Sequence, residues 1–94
     1  MRLSTFAPQL QGAVTSFVLP EIVKTLSNGA NTVTLSGEYD IVGILIFDAT
    51  GNILPSFEIQ KVITPSTGKC GSVIITLVTD TNLIDCSVNI YVRP

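Results

Sequence analysis

Residues 40–59 read DIVGILIFDATGNILPSFEI, a dense run of Ile, Val, Leu and Phe broken once by Asp48-Ala49-Thr50-Gly51-Asn52. A membrane helix needs about 20 consecutive apolar residues. The longest uninterrupted run here, Ile41 to Phe47, is far shorter. Asp and Asn bond their own backbone in turns, and Gly supplies positive φ, so the break reads as a reversal between two strands. Side chains alternate along a strand. Ile41, Leu45 and Phe47 are therefore expected on one face, and Val42, Ile44 and Ile46 on the other. Both faces are apolar, which places this strand between two layers or against another subunit. Beyond the turn, Phe57 and Ile59 alternate with Glu58 and Gln60.

Similar turn signals recur at Ser27-Asn28-Gly29-Ala30-Asn31, Ser36-Gly37-Glu38, Thr64-Pro65-Ser66-Thr67-Gly68 and Thr79-Asp80-Thr81-Asn82. Their cadence, with Val, Ile, Thr and Phe between them, is that of an all-β protein. The expected fold is a single-domain antiparallel β-sandwich of about six to seven short strands, immunoglobulin-like or jelly-roll-like. In the last segment Ile84, Cys86, Val88, Ile90 and Val92 alternate with Asp85, Ser87, Asn89, Tyr91 and Arg93. One face is core and the other faces out. The segment Ser72 to Thr79 precedes it by a short polar turn and is expected to pair with it as a hairpin. That hairpin points Val73, Ile75 and Leu77 inward and leaves Ile74, Thr76 and Val78 on an unusually apolar outer face. It also separates Cys70 from Cys86 by roughly 23 Å at strand rise, too far for a disulfide. Both thiols are expected free, with Cys86 a small core residue. Residues 20–27 favour a strand over a helical turn, because Ile22, Val23 and Thr25 are β-branched. Residues 1–12 carry no period and read as an N-terminal arm that orders against a neighbour, with the sandwich at 13–94.

The 94 residues carry only 13% charged side chains and a net charge of −2, against about 25% charged in ordinary soluble domains. The basic residues Arg2, Lys24, Lys61, Lys69 and Arg93 are scattered, so no phosphate-binding patch and no nucleic-acid partner are expected. There is no histidine, which removes the commonest general base and any Ser-His or Cys-His pair. Asp48-Ala49-Thr50-Gly51 is one alanine away from the Asp-Thr-Gly of aspartic proteases and reads as a turn. Ser66-Thr67-Gly68-Lys69-Cys70 lacks the first Gly and the final hydroxyl of a phosphate-binding loop. The carboxylates Glu38 with Asp40, and Asp80 with Asp85, do not follow calcium-loop spacing. The expectation is a non-enzyme with no cofactor, no catalytic residue and no metal.

The LIFDATGNIL hairpin (45–54) resembles the Asp-x-x-Gly-Asn turn of immunoglobulin-like sandwich modules in surface and virion proteins. VTDTNLIDCSVNIYVRP (78–94) resembles the closing hairpin of small phage structural proteins. The resemblance implies a bacteriophage capsid or tail accessory component, located in a virion or in the cytoplasm. No secretory signal is read at the N-terminus, where Arg2 precedes no sustained apolar stretch.

Sparse charge combined with strands apolar on both faces points to a structural or assembly protein that packs into a homo-oligomer or larger particle. The expected interface is Val42, Ile44, Ile46, Ile74, Val78 and Tyr91, with no nucleic acid and no membrane involved. The alternative is a carbohydrate-binding or adhesin-like module using Tyr91, although the chain has no Trp to build a sugar platform.

Overall fold

The protein was analysed as a computed structural model that describes residues 16–93. The expected arm at 1–12, and residues 13–15 of the expected sandwich, lie outside the described residues. Six strands form: β1 (Phe17–Val18), β2 (Ile22–Leu26), β3 (Gly29–Phe47), β4 (Glu58–Ile63), β5 (Cys70–Leu77) and β6 (Leu83–Arg93). Every pairing is antiparallel, and the described residues contain no helix.

β3 organises the rest. Its first half pairs with β5, from Gly29 opposite Leu77 to Thr34 opposite Ser72. Its second half pairs with β6, from Asp40 opposite Arg93 to Phe47 opposite Ser87. Between them the register against β5 jumps from Thr34–Ser72 to Tyr39–Cys70, so residues 35–38 face only Gly71. The turn signal at Ser36-Gly37-Glu38 is thus a bend inside one continuous strand. Gly37 leaves room there for the Tyr39 ring, whose hydroxyl would lie 3.2 Å from a Cβ at that position. The bend is tied down by Glu38, whose two carboxylate oxygens accept the Thr64 hydroxyl (2.6 Å) and the Thr67 hydroxyl (2.8 Å). These donors, Thr64 first, hold the Glu38 carboxyl below its ordinary range.

The bend makes two layers. In the first, β1 and β2 lie in line along one edge of β6, and the second half of β3 lies along its other edge. In the second, β5 is flanked by the first half of β3 and by β4. Leu26, Ile46, Cys86, Val88, Ile90 and Val92 from the first layer meet Val33, Val73, Ile75 and Leu77 from the second in one core. Each such side chain contributes about 1.5–3 kcal/mol on full burial. The fold is the all-β, antiparallel, single-domain architecture that the strand cadence implies.

The corner between β2 and β3 passes from the first layer to the second within two residues, and Asn31 holds it. This side chain, 7% exposed, is the buried polar residue of the described core. Its Nδ2 donates to the carbonyls of Ser27 (2.9 Å), Gly29 (3.1 Å) and Ile75 (3.1 Å), and its Oδ1 accepts the Ser27 amide (2.9 Å). Gly29 takes φ of +97° at the same corner, a conformation that glycine adopts without a Cβ clash.

Four pairing and facing expectations are corrected. β5 and β6 are not a hairpin: they lie in opposite layers, residues 78–82 cross between them, and Cys86 stands opposite Lys24 rather than Leu77. Both cysteines are nevertheless free and buried. Next, Ile41 faces Val92 while Gly43 faces Tyr91, so Val42 is an extra residue in a β-bulge. A bulge reverses the alternation after it. Ile41 faces in before it and Ile46 faces in after it. A second irregularity in β6 lies at Asp85, which has φ of +53°. Asp tolerates this left-handed region better than most residues. It turns Leu83 toward the core and leaves Ile84 64% exposed, the reverse of strict alternation. Finally, the Asp48–Asn52 turn closes only a stub. Asp48 Oδ1 accepts the Thr50 amide (2.9 Å), the Thr50 hydroxyl (2.7 Å) and the Asn52 amide (3.0 Å). The Leu54 amide then bonds the Ile46 carbonyl (2.8 Å), after which the chain departs and β4 joins the second layer.

Three outcomes test this account. Asn31→Ala strips a buried donor-acceptor set and should cost about 1–3 kcal/mol in urea unfolding. Ile46→Ala should cost about 2–5 kcal/mol, whereas Val42→Ala, at the exposed bulge, should stay within about 1 kcal/mol; equal losses would overturn the bulge assignment. A carboxylate held below its ordinary range stabilises fully above that range and loses its contribution as pH falls through the native value. Thermal unfolding should therefore lose stability below about pH 4.5, and less steeply in Glu38→Gln.

Candidate interaction surface

The six expected interface residues do not converge on one face. Ile46 is fully buried within the protein's own core, because the bulge turns it inward. Ile44 is half-buried and packs against that core. Val42 projects from the bulge, 44% exposed, beside Ile59 and Lys61 of β4. Ile74 is half-buried on the outer face of the second layer, between Thr32 and Gln60. Val78 is 94% exposed in the link between layers. Tyr91 lies on the outer face of the first layer, half-buried between Val18 and Gly43.

That last face gathers apolar residues which strict alternation assigned elsewhere or left unplaced. Opposed residues in an antiparallel pair share a face, so the register defines its rows. Val18, Tyr91 and Gly43 form one row; Asn89 and Leu45 the next; Val23, Ser87 and Phe47 the third. Val18, Val23 and Leu45 are all exposed, Val23 the most at 58%. A polar stripe runs between the apolar flanks. The Ser87 hydroxyl donates to the Glu21 carboxylate, and Asn89 Nδ2 donates to Ser87 Oγ (3.0 Å). Glu21, Asp48 and Asp85 rim a shallow groove over Phe47. The glycine at 43 was the available sign of this face, since glycine inside a strand often marks a bulge.

The surface offers little to catalysis. Asp48 spends one oxygen on its own loop, and the Thr50 hydroxyl, followed by the Asn52 amide, holds its carboxyl below the ordinary range. Asp40 faces Arg93 at 3.3 Å across the exposed surface. Among the described residues no three His, Cys, Asp or Glu side chains gather as a metal site. Cys70 is 1% exposed, its Sγ donating to the Ser72 carbonyl (2.9 Å). Lys69 therefore does not make it an accessible nucleophile. Cys86 is fully buried. Burial first, then the Asp48 and Asp85 charges, pushes its thiol above the ordinary value. A buried thiol of this kind is inert.

No family model, curated protein or solved structure matches this chain. A thiol-reactive chromogen should titrate neither cysteine in the native protein at neutral pH, and both after denaturation. Release of either in the folded state would contradict the burial described.

Proposed function

We propose that this chain is a non-enzymatic structural subunit, a small β-sandwich that packs into a homo-oligomer or a larger particle such as a phage capsid or tail. The observation that carries the reading is the outer face of the first layer, where Val18, Val23 and Leu45 stand exposed beside Phe47 and Tyr91. Exposed apolar residues gathered on one face, here on both flanks of a polar stripe, mark interaction surfaces. Sparse charge supports the same reading, since charged residues are depleted at the centres of interfaces. The particle is suggested by the resemblance of residues 45–54 and 78–94 to virion sandwich modules. Carbohydrate binding has weaker support, because Tyr91 is set flush between Val18 and Gly43 rather than presented as a platform.

Light scattering at micromolar concentration should give a mass above that of one chain. The double variant Val23→Asp with Leu45→Asp should lower that mass while circular dichroism retains the β signal. A clean wild-type monomer would count against assembly. Ile44→Asp, which places a charge against the core, should instead unfold the protein.

A further inference from the structure

A β-strand edge exposes unpaired N–H and C=O groups and invites another strand, so proteins blunt their edges with lysine, inward-pointing charge or cover. Most edges here are treated in that way. On β2, Lys24 stands opposite the buried Cys86 and so belongs to the inward face. On β4, Lys61 stands opposite the buried Val73, and its Nζ reaches back to the Ile41 carbonyl (3.4 Å). The second half of β3 is covered at Ile46 and Phe47 by the stub of Ile53 and Leu54. β1 is only two residues long.

The first half of β3 has no such treatment over Gly29–Val33, and only at its far end do Thr34 to Ser36 share a groove with Leu19 to Ile22. One side of Gly29–Thr34 is bonded to β5, and no described residue pairs with its other side. No charged residue occurs between Lys24 and Glu38. Buried Asn31 and Val33 alternate with exposed Thr32 and Thr34, and Thr and Val favour strands.

We propose that this edge pairs with the same edge of a second copy, antiparallel about a two-fold axis near Val33. The pairing fuses the second layers of the two copies into one continuous sheet. A second copy is the occupant because the edge carries no charge from Thr25 to Gly37, so two identical strands meet there without opposing like charges. β2, by contrast, is centred on Lys24, which self-pairing would set against its own copy. With Val33 at the axis, Thr32 lies opposite Thr34 of the second copy on the exposed face, a favourable cross-strand pair. Symmetry closes the contact as a dimer, leaving the outer face of the first layer free for other contacts. This inference rests on the assembly reading and names one of its surfaces.

The test is the double variant Thr32→Lys with Thr34→Lys, both exposed positions, mixed or not with Thr32→Glu with Thr34→Glu. The lysine protein alone should associate at least tenfold more weakly in light scattering, and an equimolar mixture with the glutamate protein should restore the dimer. Wild-type-like association of the lysine protein would overturn edge pairing while leaving assembly through another face intact. Lost association that the mixture does not restore would also overturn it. A wild-type monomer would remove both proposals together. In the wild-type protein, amide hydrogen exchange over Ala30–Leu35 should slow as concentration rises through the association range. Exchange independent of concentration would refute the pairing even if the variants fail to fold.

Discussion

The whole architecture depends on one strand serving two layers. β3 is nineteen residues long, and its halves hydrogen-bond to different partners. A strand can do this only by bending where it changes partner, and bending leaves backbone groups without a ladder. The protein concentrates that cost at residues 35–38 and anchors the bend through Glu38 to the loop hydroxyls of Thr64 and Thr67. At the start of the same strand, the Asn31 amide donates to the Ser27 and Gly29 carbonyls of the β2–β3 corner and to Ile75 of β5. In a core otherwise apolar among the described residues, this amide prevents the corner from sliding, since any shift would leave its hydrogen bonds unmade.

The two β-bulges determine what the surface looks like. Without an extra residue at Val42, Ile46 and Leu45 would exchange places, and the outer face of the first layer would carry Ile44 and Ile46. With it, Ile46 fills the core and Leu45 with Phe47 takes the outside. Asp85 has the same effect at the start of β6, trading Ile84 for Leu83. Apolar character on both faces of these strands was therefore real in composition but assigned to the wrong positions.

This explains which parts of the structure were legible from sequence. Fold class was legible because strand alternation and turn residues are local. The β6 face of Cys86, Val88, Ile90 and Val92 came directly from period two. Strand partners were not legible: the short link at residues 78–82 suits a hairpin as well as it suits an arch between layers. Choosing between them requires knowing where the first half of β3 lies, some forty residues away in Asn31 opposite Ile75. Of the interface residues, Tyr91 and Val42 are on the surface and Ile46 is in the core, and the difference is a single glycine-adjacent insertion. Val23 went unplaced because β2 had no assigned neighbour, so neither of its faces could be called outer.

β6 sits in the middle of the first layer, flanked by β1 and β2 on one side and β3 on the other, yet it is the sixth strand in chain order. Until the ribosome has made it, β2 and half of β3 have nothing to zip onto. Completion of the sheet therefore waits on contacts spanning more than sixty residues, such as Ile22 with Val88. Such distant pairings make folding slow and keep unpaired strand edges exposed to aggregation until the last strand docks.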